Sequence, residues 1–133
     1  RFVFACTDRY LGDYYQSMDA FALVSEHEGF GLVIGEAMHC GLPVIATQVG
    51  CVPDIMLDRI NGLIVDEHPE SIAQAILKLE QHPNWASGLA EEGRLLARTR
   101  LHASRMARDY EALLVDLWLR KQARLEDCSA GAS

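Results

Sequence analysis

The sequence predicts an α/β domain with a largely parallel sheet flanked by helices, and three observations carry that expectation. Short apolar runs alternate with segments of helical period over most of the chain. Two of these runs, residues 20–24 and 43–46, bracket a glycine-bearing loop and a helical stretch, in the order strand, loop, helix, turn, strand. That order is a βαβ unit. Turn chemistry, Gly41-Leu42-Pro43 and later Asn61-Gly62, falls between the periodic segments rather than inside them.

Taken in order, residues 2–6 (FVFAC) read as a short buried strand. Residues 10–18 form a short helix that Thr7 or Asp8 can cap, with Gly12 counting against it. Asp19 opens the strand over 20–24. A helix from Gly31 to His39 follows the glycine loop, with Val33, Ala37 and Cys40 as its apolar face and Ile34 and Met38 in a neighbouring row. Gly35 inside it suggests close backbone packing. The strand over 43–46 leads through a turn to a short helix over 52–57, with Pro53 in its first turn. The 58–62 turn ends in Asn61-Gly62, with a positive φ expected at Gly62. Residues 63–65 are the next strand. Three helices complete the chain. One begins at Pro69 with Ile72, Ile76 and Leu79 inward. One spans 83–99 with Trp85, Leu89 and Leu96 on one side. The last spans 103–124 with Met106, Tyr110, Leu113, Leu114 and Leu117 as its core stripe. Val115, Trp118 and Leu119 fall outside that stripe and read either as a partner surface or as a second buried side. Arg120, Lys121 and Arg124 suit the end of the helix dipole. Residues 126–133 read as a disordered tail.

The chemistry concentrates in Ser25 to Pro43, SEHEGFGLVIGEAMHCGLP. Gly29 and Gly31 leave backbone N–H groups uncovered at a helix start, where unpaired amides and the positive end of the dipole favour an anion such as a pyrophosphate. Glu28 and Glu36 are poor phosphate partners. An ionised carboxylate accepts hydrogen bonds only, and its two oxygens can span a vicinal diol. Phosphates together with two sets of hydroxyls describe a nucleotide sugar. Acids near any helix start are favourable by about 0.3–1 kcal/mol, so the pair without its surroundings would be unremarkable.

Bulk properties exclude other classes. The 133 residues suit one domain, and half of them are apolar. A net charge of −7 argues against a nucleic-acid groove and against anionic membrane. No apolar run approaches a bilayer span, and no signal segment opens the chain. Cys6, Cys40, Cys51 and Cys128 show no metal-ligand spacing, and no His-x-x-x-His pair occurs, so neither a zinc site nor a disulfide is expected. Free thiols fit a cytoplasmic protein.

The residues Ser25, Glu28-Gly29-Phe30-Gly31-Leu32, Glu36-Ala37-Met38, 41–47 (GLPVIAT), Gly50, Pro53, Asn61-Gly62-Leu63 and the 69–79 helix, with Asp19 ahead of them, closely resemble one known pattern. It is the C-terminal, donor-binding domain of retaining glycosyltransferases of the GT-B fold, family four (glycosyl transferases group 1). The likeness runs over residues 2–114. It implies a Rossmann-like sheet and transfer of a hexose from a nucleotide-diphosphate sugar to a glycan, lipid or small-molecule acceptor, without metal or other cofactor. By that likeness Glu28 is the catalytic-site acid contacting donor-sugar hydroxyls, and Glu36 holds the ribose diol. The amides of Gly29, Phe30, Gly31 and Leu32 lie near sugar and diphosphate. It implies no protein nucleophile.

The chain departs from the pattern in places. Gly50-Cys51 stands for two glycines, Pro53-Asp54 for Pro-Glu, Gly35 for a bulkier residue, and Asp58-Arg59 for Asp-Gly. The likeness also implies an Arg and a Lys that clamp the phosphates upstream of residue 2, and a separate N-terminal acceptor domain. Residues 1–125 are therefore expected to be a nucleotide-sugar-binding domain lacking its first βα portion, inactive alone. Its partners are the donor and the N-terminal domain, with any membrane contact, and peripheral location, left to the missing half. Two rivals stand beside this: a non-catalytic nucleotide-sugar-binding or interaction module of the same fold, and a hydrolase using the two acids as an acid/base pair.

Overall fold

The computed structural model describes residues 11–130, so the strand expected over 2–6, and Thr7 and Asp8 expected to cap the first helix, lie outside the described residues. The elements run α1 (Leu11–Gln16), β1 (Phe21–Leu23), α2 (Leu32–His39), β2 (Val44–Thr47), α3 (Val52–Ile55), β3 (Leu63–Val65), α4 (Pro69–Gln81), α5 (Pro83–Arg100) and α6 (Ala103–Ala130). The three strands form a parallel sheet in the order β1-β2-β3, with Phe21 opposite Val44 and Ile45 opposite Leu63. Each crossover carries a helix, as parallel pairing requires.

Every residue of β2 is buried, the pattern of a central parallel strand covered on both faces. Ile45 and Leu63 pack with Ala75 and Leu79 of α4 and Leu89 of α5, and Trp85 and Ala86 close the edge of this core. Lys78 Nζ sits 4.8 Å from the centre of the Trp85 ring. α2 packs against β1 and β2 and buries Ile34, Ala37 and Met38. The row read from sequence as secondary is thus the inner one, and Val33 and Cys40 are only half-buried. On α4 the expected Ile76 is 51% exposed and Ala75 takes its place. A small residue lets the helix approach the sheet where isoleucine would hold it off.

The turn after α3 differs from expectation in an instructive way. Gly62 does not take a positive φ; Arg59 does, at 62°. Gly62 is required instead by close approach, since a Cβ there would lie 3.0 Å from the Val44 carbonyl oxygen and collide with the Met56 methyl. Buried Asn61 ties the turn together: its Oδ1 accepts from Leu57 N–H at 2.8 Å and its Nδ2 donates to the Ile55 carbonyl at 2.9 Å. An L-residue in the left-handed region costs about 1–2 kcal/mol, partly offset by glycine's larger unfolded-state entropy. The exposed Asp58–Arg59 pair, 3.4 Å apart, returns little. Arg59→Gly is therefore expected to raise stability by about 0.5–1 kcal/mol, a rise of a few degrees in Tm by calorimetry. An unchanged or lower Tm would show that the arginine is not strained there.

The chain divides into two compact units, Arg1–Thr99 and Arg100–Ser133. The second unit holds α6, which runs on to Ala130, past the expected end at Arg124 and into the segment read as a disordered tail. Ala123, Arg124, Leu125 and Glu126 are all strong helix formers, so nothing stops the helix where its charges cluster. Met106, Tyr110, Leu113, Leu114 and Leu117, read as a core stripe, are exposed along with Val115, Trp118 and Leu119. No helix among the described residues is long and apolar enough to cross a membrane.

Candidate functional site

Parallel strands direct their carboxyl ends to one edge of the sheet, where ligands of open α/β folds bind. At that edge the loop after β1, residues 24–31, is held by the end of β2. The buried Thr47 hydroxyl donates to the Ser25 carbonyl at 2.7 Å, and Cys51 N–H donates to the Phe30 carbonyl at 2.9 Å. Gly50 makes this closure possible. Its φ is 57°, and a Cβ there would stand 2.9 Å from the Phe30 carbonyl oxygen and 3.0 Å from Glu28 Cβ.

The loop ends at Gly31, which caps α2 in the left-handed conformation (φ 83°, ψ 47°) without any side-chain cap. Ile34 N–H bonds back to the Gly31 carbonyl at 3.0 Å. Among the described residues nothing accepts from the N–H groups of Gly29, Phe30, Leu32 or Val33. Phe30 and Leu32 are exposed beside them. The result is a row of unpaired amides at a helix start, suited to an anion.

Both acids belong to this crossover. Glu28 is half-buried in the loop, and its Oε1 accepts from the Ser25 hydroxyl at 3.1 Å. Glu36, on the second turn of α2, is exposed, and its Oε2 accepts from the Tyr15 phenol at 2.9 Å. In each carboxylate the second oxygen has no donor among the described residues, and neither acid takes part in an ion pair there. They do not turn into the interior and do not meet an arginine. Each keeps one oxygen with the capacity to accept a further hydrogen bond.

Cys51 stands where the family pattern has its second glycine, and its φ of −82° explains why a side chain is accepted there. Its buried thiol lies 4.0 Å from the Gly31 carbonyl oxygen, and burial, with Asp54 and Glu28 nearby, pushes its pKa up. It is a packed neighbour of the loop, with the wrong charge state for a nucleophile at neutral pH. Tyr15 is also raised, to about 12, first by burial and then by its bond to Glu36, so it stays a donor. Asp19 is not part of this group. It lines a groove of about 790 Å³ with Gly41, Leu42, Glu80 and Arg94, at the opposite, amino end of the strands. That groove is larger than a phosphate needs, and its charged lining mixes Asp19, Glu80 and Glu91 with Arg94.

Sequence reading did not find Tyr15, which meets Glu36 across 21 residues with no local pattern to announce it. Thr47 and Gly50 were visible only as parts of a motif, without their task of pinning the loop.

Comparison with known proteins places these features in context. The model of the glycosyl transferases group 1 family matches residues 1–96. A D-inositol 3-phosphate glycosyltransferase of Xylanimonas cellulosilytica is 47% identical over 60 residues, 45% of this chain and 14% of that relative. The chain thus spans about a seventh of the length of that curated relative. Among solved structures, sucrose-phosphate synthase from Thermosynechococcus elongatus superposes with a TM-score of 0.79 at 32% identity, over 90% of this chain and 30% of that one. Anabaena HepE, crystallised with UDP-glucose, gives 0.73 at 24% identity, over 77% of this chain and 29% of that one, a likeness of fold.

Proposed function

This chain belongs to the glycosyl transferases group 1 family and has the Rossmann-like, C-terminal half of a GT-B fold; from that premise we propose that it is the donor-binding part of a retaining hexosyltransferase. The donor is a nucleotide-diphosphate sugar, and the acceptor is a glycan, lipid or small molecule held mainly by an N-terminal domain of a longer protein. The observation that carries this reading is the unpaired amide row between two acids that each keep one acceptor oxygen.

In this reading the amides of Gly29, Phe30, Gly31 and Leu32 take the diphosphate and the adjoining edge of the sugar. Glu28 grips hydroxyls of the transferred hexose, and Glu36 takes the ribose diol. Diphosphate is the leaving group, so amides near it stabilise charge as it develops. Front-face attack, with the leaving phosphate drawing the acceptor proton, requires no protein nucleophile and no metal. The HepE crystals hold UDP-glucose in a protein of this fold, but the reading rests on the groups of this chain.

The test is a transfer assay on the complete protein with a panel of nucleotide-diphosphate hexoses, the product anomer being read by NMR. Transfer with retained configuration supports the reading. Release of free sugar from an oligosaccharide, with no use of any nucleotide sugar, would replace it by the hydrolase. The 133 residues alone are expected to show no turnover, because a cleft between two domains is needed to exclude water and seat the acceptor.

A further inference from the structure

We propose that Tyr15 is a positioning residue for the ligand site: its phenol fixes Glu36 so that one carboxylate oxygen meets the ribose diol. The inference rests on the nucleotide-sugar reading and adds a residue to it from a different part of the fold.

Glu36 sits on the outer side of α2 and is exposed, so its side chain would otherwise sample several rotamers. Among the described residues the single hydrogen bond to its carboxylate comes from Tyr15. Tyr15 is itself rigid. It is 5% exposed, and its ring stands edge-on to Phe21 of β1, with centroids 5.8 Å apart. The phenol therefore reaches Glu36 from a site anchored on the sheet, while the helix carrying Glu36 is anchored on the same sheet. The geometry divides the carboxylate: Oε2 is held by the protein and Oε1 is left for a ligand hydroxyl. A buried hydroxyl aimed at an exposed acid adds little to packing that phenylalanine would not, which points to orientation as its use. Its raised pKa keeps the proton on the phenol throughout the neutral range.

The experiment uses the complete protein and isothermal calorimetry. UDP, GDP and ADP are titrated in turn, and the one that binds is compared with its 2′,3′-dideoxy analogue. Tyr15→Phe, which keeps the ring, is expected to weaken the diphosphate by about tenfold, the effect of one hydrogen bond to a charged group. It is expected to leave affinity for the dideoxy analogue unchanged and to cost nothing further in a Glu36→Ala background. Equal weakening of both ligands, or a further loss in the Glu36→Ala background, would show a merely structural role and overturn the proposal. So would unchanged binding by Tyr15→Phe while Glu36→Ala binds weakly, an outcome that leaves the nucleotide-sugar reading standing. If the wild type binds none of the three diphosphates, that reading fails and the positioning role falls with it.

Discussion

Glu28→Ala in the complete protein lowers kcat/KM for the nucleotide sugar by about 10²–10³-fold, with Tm changed by no more than a degree or two. The magnitude follows from chemistry. Glu28 is a charged acceptor whose bonds to two hydroxyls of the reacting sugar are worth about 1.5–3 kcal/mol each, less the water that replaces them. The small stability change follows from its surroundings: its protein partner is the hydroxyl of Ser25 at 3.1 Å, and it is half-buried in a loop. A variant that kept more than a tenth of wild-type kcat/KM would remove Glu28 from the reacting centre. A variant that failed to fold would make it a structural acid.

Gly50→Ala combines the opposite effects. The residue sits at φ 57°, and its added methyl would stand 2.9 Å from the Phe30 carbonyl oxygen and 3.0 Å from Glu28 Cβ. Backbone cannot withdraw as a flexible side-chain tip can, so the loop carrying Glu28 and the amide row must shift. A displacement approaching 1 Å at a site that positions reactants costs about 10²-fold in rate. The left-handed φ and the contact together cost about 2–4 kcal/mol of stability, visible as a lower midpoint in urea with an unchanged slope. The adjacent Cys51→Gly is the control: at φ −82° it loses a packed thiol without moving the Phe30 carbonyl, so activity should fall far less. Equal activity of Gly50→Ala and wild type would mean that the loop closes in some other way.

Much of this architecture was legible because it depends on local rules. The alternation of apolar runs with helical periods placed β1, β2 and β3, and Pro69 and Pro83 marked the first turns of α4 and α5 where they fall. The amides and acids were legible because both lie on one crossover, within a dozen residues. What local rules could not show is which of two neighbouring rows a helix buries. On α2 the sheet selected Ile34 and Met38 over Val33 and Cys40. The positive φ at Arg59 was hidden because turn statistics favour glycine, while Gly62 was needed for space. Tyr15 and Thr47 act across 21 and 22 residues, and only the folded chain brings them to the loop. On α6 the period identified a helix but not a cover, and its apolar residues remain exposed.

If these two acids grip hydroxyls beside a phosphate cradle, the affinity of the complete protein for a nucleoside diphosphate, measured by calorimetry, depends on Glu36. Wild type is expected to bind in the micromolar range and Glu36→Ala about 10–100-fold more weakly, since the hydrogen bond from the diol to a charged acceptor is lost. Equal affinity in the two proteins, or binding of free oligosaccharide but of no nucleoside diphosphate, would contradict it.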